Sequence, residues 1–452
     1  MDRNALRDLI KWNNDNRRKP LIVWGARQVG KTYLVLELFA KKYYPNRFIY
    51  IDFKIEDEIR NFCMQTADAR KIIEYISLKV GKEINQNTLL LFDEIQECPN
   101  IISSLKYFCQ NYKEIPVIAT GSMVRIKLHR QTHKRGVTNE SFLFPVGKIN
   151  QLTIYPISFD EYLMNCNKLI YTKVKSSYEE HKALDENIHQ IVMDLFYKYL
   201  LVGGMPEALD AYIETNNLLK ASTIIKDLYD NYLSDMELYQ ASTESILRTR
   251  AVYNNIYKEL NKESKNFSPG LIEQNRKTRD FETSIYWLTT AHIVNQSFKL
   301  KEHVTMPLIQ EETTSFRLYL GDIGLFSYQS GLNAASFVSN ERENTLSGIF
   351  FENYVANELV SKGHKLFYWC GKASAEFEFI VESDNKLYPI DVKKGRGSLN
   401  SLDKFANHNK FEFAIKISKN NYNYDSSKKI LTVPFYYVPF LAQNLADGNL
   451  SI

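Results

Sequence analysis

The sequence predicts an α/β chain: a helix-covered parallel sheet in the N-terminal third, a largely helical middle, and a second α/β unit at the C-terminus. Three observations carry this. Apolar runs of strand length alternate with amphipathic stretches of helix length as far as Thr120, the pattern of a parallel sheet with crossover helices. A glycine-punctuated segment, GARQVGKT, separates the first of those runs from the first long helical stretch. From about residue 340 a long apolar helical pattern is followed again by strands, a helix and more strands.

Each element has its own warrant. Leu6, Leu9 and Ile10 recur at helical spacing and predict a short amphipathic helix over 5–13. Leu21-Ile22-Val23-Trp24 reads as a buried strand, and a helix is expected over 31–42. A strand at Phe48 to Phe53 is followed by helix within 57–79, a strand at Thr88 to Phe92, a helix near 101–112 and a strand at Pro116 to Thr120. Residues 160–262 are helical in pattern and broken at Gly203-Gly204-Met205-Pro206. Within 244–330, one helix carries Val252, Ile256 and Leu260, another carries Phe281, Ile285 and Leu288, and a strand or wing pair spans 292–320. The last unit opens on a helix with Ile349, Phe350, Val355, Leu359 and Val360. It continues through strands at Glu376 to Val381 and Tyr388 to Lys393. There is no internal repeat or low-complexity linker.

At 452 residues the chain has room for about three domains. Its 44% hydrophobic and 24% charged residues exclude a mostly disordered chain. Lys plus Arg number 57 against 53 Asp plus Glu, so any basic surface for nucleic acid or membrane has to be local. The five cysteines (Cys63, Cys98, Cys109, Cys166, Cys370) are scattered without metal-ligand spacing, which predicts free thiols in a reducing cytoplasm. The first twenty residues carry Asp2 and Asp8 and no apolar core, so no signal peptide is expected. No apolar run reaches the length of a membrane span, so no membrane partner is expected.

Gly25-Ala26-Arg27-Gln28-Val29-Gly30-Lys31-Thr32 matches the pattern G-x-x-x-x-G-K-(S/T), with a strand before it and a helix, starting at Tyr33, after it. Gly25 and Gly30 let the loop turn and present backbone N–H groups to phosphate oxygens, and the following helix N-terminus adds to the anion site. Lys31 is expected to reach the β- and γ-phosphates, and Thr32 to ligate Mg2+. The predicted cofactors are therefore ATP and Mg2+. In Leu89-Leu90-Leu91-Phe92-Asp93-Glu94 an apolar strand delivers Asp93 to its C-terminal end, where it can hold the metal or its water shell. Glu94 is then positioned as the general base for an attacking water, which favours hydrolysis over nucleotide storage. The strand ending in Thr120 leads to Gly121-Ser122, where the Ser122 hydroxyl either contacts the γ-phosphate or the water, or closes the strand as an ST-turn. A basic stretch follows, with Arg125, Lys127, Arg130, Lys134, Arg135, His129 and His133. It reads as a solvated loop, or as a contact to nucleic acid or a neighbouring subunit.

A second constellation lies at Glu352, Glu378, Asp391 and Lys393. Period-two geometry puts Asp391 and Lys393 on one strand face, and a hairpin can bring Glu378 beside them. Two carboxylates and an ammonium there could hold divalent metal and activate water, as a metal-dependent phosphodiesterase does. An ordinary cross-strand charge pair explains the same residues.

The phosphate loop, the LLLFDE element and the ATGS strand resemble the AAA-type module of the additional-strand, catalytic-glutamate P-loop ATPases, in which a glutamate directly follows the aspartate. GKINQLTIYPISFDEYL, YLLVGGMPEA, FRLYLGDIGLF, FENYVANEL, YWC, EFEFIV and YPIDVKKG resemble the further signatures of prokaryotic ATP-binding proteins that join such a module to an uncharacterised C-terminal domain. The resemblance covers nearly the whole chain. It implies a RecA/AAA-like core over 1–163, a helical lid over 164–243, a winged-helix-like unit over 244–335 and a restriction-endonuclease-like PD-(D/E)xK fold over 336–452. It departs from that family at Lys148, where arginine is usual, at Glu378 for the usual Asp and at Asp391 for the usual Glu. The function implied is Mg2+-dependent ATP hydrolysis by a switch acting on nucleic acid or a protein partner, or through self-association, with the lid closing on the nucleotide. An ATP-gated metal-dependent nuclease is one alternative. A non-catalytic DNA-binding or scaffold module using Arg276, Lys277 and Arg279 is another.

Overall fold

The computed structural model describes residues 1–122, 144–240, 242–309, 315–332, 347–371, 375–393 and 401–452. The basic stretch from Arg125 to Arg135 lies outside the described residues. The chain divides into two compact units, Met1–Tyr155 and Pro156–Ile452.

The first unit is built on five parallel strands: β1 (Leu21–Gly25), β2 (Phe48–Asp52), β3 (Leu89–Asp93), β4 (Val117–Thr120) and β5 (Asn150–Ile154). Their order is β2-β3-β4-β1-β5. The three inner strands, β1, β3 and β4, are buried at every position, which is why their sequences are continuous aliphatic runs without alternation. Ile22, Trp24, Leu90, Phe92 and Ala119 meet Ile101, Leu105 and Phe108 of the helix Pro99–Asn111 in one core. This order sets β4 between the loop-bearing β1 and the acid-bearing β3. Chain crossovers leave both sides of β1, so the crevice at the carboxyl ends of β1, β4 and β3 is where such sheets place ligands. The helix expected within 57–79 is two helices, Asp57–Cys63 and Ala69–Val80. Asp68 separates them, its carboxylate accepting from the Arg70 N–H at 2.9 Å and capping the second helix. After the loop, Tyr33–Ala40 is π-helical and continues as α-helix Lys41–Tyr43. Wide turns of this kind are frequent beside functional sites.

In the second unit the segments noted above as signatures knot together. Tyr199 donates its hydroxyl proton to the carbonyl of Ile157 at 2.6 Å. Asp322 accepts from the N–H groups of Gly204 (2.7 Å), Gly324 (2.9 Å) and Leu325 (3.0 Å). A Cβ on Gly204 would lie 2.1 Å from the Ile157 carbonyl oxygen, so only glycine admits this backbone approach. The GGMP break is thus a docking point for two distant segments.

Two mixed sheets follow. One has the order β7-β6-β8-β9, from β6 (Val294–Leu300), β7 (Phe316–Leu320), β8 (Leu366–Cys370) and β9 (Glu376–Phe377). The expected wing pair is the antiparallel β6–β7 ladder, and β6 also pairs in parallel with β8, so this sheet draws strands from both sides of residue 336. The other has the order β10-β11-β12-β14-β13, from β10 (Phe379–Ser383), β11 (Lys386–Val392), β12 (Ala414–Ser418), β13 (Asn423–Asp425) and β14 (Ile430–Pro434). The single strand expected over Glu376 to Val381 is broken at Glu378. β9 pairs with β8 in one sheet and β10 with β11 in the other, so the chain changes sheets at that residue. The helix Gly348–Ser361 is buried along most of its length. Among the described residues, no helix is long and apolar enough to cross a membrane.

Candidate functional site

The loop after β1 is shaped by positive φ at Gly25 (143°), Gln28 (62°) and Gly30 (90°). At Gly25 a side chain is excluded outright, because a Cβ would lie 2.3 Å from the Ile154 carbonyl oxygen of the paired strand β5. Arg3 ties the loop down, donating to the Val29 carbonyl at 3.1 Å and to the Tyr155 carbonyl at 2.7 Å. Ala26 and Val29 are buried, Arg27 is half-buried, and Gln28 and Tyr33 are exposed. Lys31 is buried and bends over its own loop, its ammonium donating to the carbonyls of Gly25 (3.1 Å) and Ala26 (2.7 Å). Burial lowers its pKa to about 8, against the opposing pull of Glu94 and Asp93.

Asp93 is the hub. Its Oδ2 accepts from the hydroxyls of Thr32 (2.7 Å) and Tyr50 (3.0 Å), and its Oδ1 from the Glu94 N–H (2.9 Å) and the Thr120 hydroxyl. Strand register explains the convergence. Asp93 pairs with Asp52 of β2, two residues beyond Tyr50, and Phe92 pairs with Ala119 of β4, one residue before Thr120. Glu94 follows with φ 51°, a left-handed conformation that a non-glycine residue adopts only when its surroundings impose it. Burial raises its carboxyl pKa, while a hydrogen bond from the Gln96 amide opposes the rise.

The pattern thus brings Lys31, Thr32, Asp93 and Glu94 together, as the sequence suggests. Tyr50, Thr120 and Gln96 are the additional members. Ser122 is buried two residues beyond Thr120, and it is Thr120 that meets Asp93. The donor set suits a nucleoside triphosphate with a hard cation: a hydroxyl and a carboxylate 2.7 Å apart are an oxygen pair of the kind Mg2+ takes. A buried ammonium hydrogen-bonded to its own loop carbonyls can be redirected to phosphate oxygens.

The C-terminal constellation also assembles, with partners the sequence did not suggest. Lys393 pairs with Asp391 at 2.7 Å, and Glu378 accepts from the Val392 N–H at 3.0 Å. Glu352 is buried and accepts from the Tyr319 hydroxyl and the Lys265 ammonium, each at 2.6 Å. Arg317 reaches Glu376 at 2.7 Å and Glu352 at 3.6 Å, and its guanidinium lies 3.9 Å from the centre of the Tyr368 ring. Burial, then the neighbouring Asp391, pushes the Glu378 carboxyl up. Burial alone would lower Lys265, but Glu352, Glu378 and Glu376 outweigh it and raise its pKa. No three His, Cys, Asp or Glu side chains among the described residues are arranged to hold a metal. Arg276, Lys277 and Arg279 are exposed, with Arg276 paired to Glu273 at 2.7 Å.

Comparison with known proteins follows the same division. Residues 17–163 match a family model described as an AAA domain. Residues 193–336 and 347–437 match two further models, each described as a domain of unknown function, DUF8612 and DUF4143. No curated protein matches the chain. Among solved structures, the crystal structure of a DNA replication initiation factor is similar at 15% identity. That match covers 65% of this chain and 80% of the other, with a TM-score of 0.24. An AAA-type ATP-binding domain therefore occupies the N-terminal unit, which supports a general ATPase.

Proposed function

We propose that this chain is a Mg2+-dependent ATPase whose turnover switches its action on nucleic acid or on a protein partner. The observation that carries the reading is Asp93 bonded to Thr32 of the phosphate loop, with Glu94 next in the chain at the end of a buried strand. Bound ATP would supply the transferable phosphoryl group, and Mg2+ the neutralising charge on it. The loop N–H groups from Ala26 to Thr32 would bind the phosphates, with Lys31 leaving the Gly25 and Ala26 carbonyls to donate to them. Thr32 and Asp93 would hold the cation. Glu94 would orient a water and accept its proton on a carboxylate oxygen, and its raised pKa strengthens it as a base. Ser122 we assign to the γ-phosphate side of the same crevice. In the second unit we keep the divisions 164–243, 244–335 and 336–452 as a helical lid, a winged-helix-like unit and an endonuclease-like fold. The β6–β7 hairpin after the helix Glu282–Thr290 supports the second of these. The antiparallel-then-parallel order β10-β11-β12 supports the third.

The test is ATP binding and steady-state turnover in two variants. Lys31→Ala is expected to abolish nucleotide binding. Glu94→Gln is expected to bind ATP normally and lose turnover by about 100-fold or more, the scale of a lost general base. Wild-type turnover in either variant overturns the assignment.

A further inference from the structure

The carboxylates that the sequence offers as a metal site already share a cation, and it belongs to the protein. Lys265 lies in the irregular connection after the helix Thr243–Leu260. Its ammonium is 2.6 Å from Glu352, 3.4 Å from Glu376 and 3.9 Å from Glu378. One ammonium within 4 Å of three carboxylates stands where a divalent ion bridging Glu352 and Glu378 would stand.

A second observation points to a missing ligand. Asp391 is 1% exposed, Lys393 takes its Oδ1, and among the described residues its Oδ2 accepts no hydrogen bond. A buried carboxylate oxygen without a donor is costly, and a cation is the partner it lacks. The two cations inserted from outside the β10–β11 hairpin also differ. Arg317 is 2% exposed, sits on β7 and is stacked on Tyr368, whereas Lys265 is 20% exposed on an irregular segment. Lys265 is the one that can leave. Its departure would set four carboxylates (Glu352, Glu376, Glu378, Asp391) against Arg317 and Lys393, a local deficit that a dication fills.

We propose that Lys265 is an internal counter-cation that keeps a divalent-metal site shut, and that Glu352, Glu378 and Asp391 bind Mg2+ or Mn2+ only when it withdraws. The inference is independent of the ATPase reading, because the two sites share no residue.

The experiment titrates Mn2+ into full-length, nucleotide-free protein and follows the electron paramagnetic resonance signal of the free ion. Lys265→Met and Lys265→Gln are each expected to gain one site, at least roughly 100-fold tighter than in the wild type, a change of about 3 kcal/mol. Adding Asp391→Asn to either variant is expected to remove it. A tight wild-type site that Asp391→Asn abolishes overturns the proposal, as do folded Lys265 variants that gain nothing. If both variants fail to fold, hydrogen exchange decides on wild-type protein with and without saturating Mn2+. Faster amide exchange in residues 261–268 with the metal supports displacement of Lys265, and unchanged exchange overturns it.

Discussion

Glu94 is restrained on two sides, by a left-handed backbone and by the amide of Gln96, which lies buried two residues further on. The Gln96 amide stabilises the ionised carboxylate and fixes which way it faces. Without it the Glu94 pKa should rise further, as burial then acts with less opposition. Gln96→Ala is therefore expected to lower kcat by about tenfold, leave the KM for ATP nearly unchanged, and move the acid limb of the kcat–pH profile to higher pH. A fall in stability with an unshifted profile would reduce Gln96 to a packing role. The sequence showed the phosphate loop and the Asp93-Glu94 pair because each is contiguous and its chemistry is local. It did not show Tyr50 or Thr120, since only the register of β2, β3 and β4 brings their hydroxyls to Asp93. Lys265 and Arg317 escaped notice for the same reason: they lie far in sequence from the hairpin whose acids they neutralise.

At the level of elements, the GGMP turn holds the second unit together through backbone approach. Gly203 at φ 71° and Gly204 admit the Asp322 carboxylate and the Ile157 backbone where side chains would collide. Asp322 accepts three N–H bonds yet is fully buried, and burial raises its pKa to about 6 despite those donors. Asp322→Ala would orphan the Gly204, Gly324 and Leu325 N–H groups, and a cost of about 3 kcal/mol or more is expected. Gly204→Ala should cost as much through steric displacement. Urea unfolding measures both, and a loss under about 1 kcal/mol in each would show that the turn is only a connector. Turn chemistry and helical periodicity marked this break in the sequence, but its purpose depends on segments more than a hundred residues away. Where periodicity was read too long, at 57–79 and 376–381, a single residue intervened. Asp68 capped a new helix, and Glu378 carried the chain from one sheet to another.

On the scale of the molecule, a chain of net charge +4 keeps a set of carboxyls out of water, and this should show in its dependence on pH. Glu358, on the buried helix Gly348–Ser361, accepts from the Phe159 N–H at 2.9 Å, and among the described residues its second oxygen has no hydrogen-bond partner. Burial is the main cause that raises its pKa to about 8. Asp160 and Glu161 of the helix Phe159–Cys166 push the same way, Lys362 and the Phe159 N–H pull down, and the Tyr199 and Tyr354 rings enclose the group. The folded pKa lies above the ordinary value of 4.5, so the folded state binds this proton more tightly than the unfolded one. The resulting stability is fully present below about pH 4.5 and is lost as pH rises toward about 8. Asp322 contributes in the same sense, but only up to about pH 6, so the interval from about pH 6 to 8 belongs mainly to groups raised further, Glu358 among them. Glu358→Gln keeps an oxygen for the Phe159 N–H and cannot ionise. It is expected to unfold in urea with a shallower loss of stability between about pH 6 and 8, the difference from wild type reaching on the order of a few kcal/mol. Parallel wild-type and variant profiles across that interval would mean that Glu358 is already ionised in the folded protein and that its burial is offset by a cation. With the difference present, the packing of this helix against Phe159 carries a neutral acid at physiological pH.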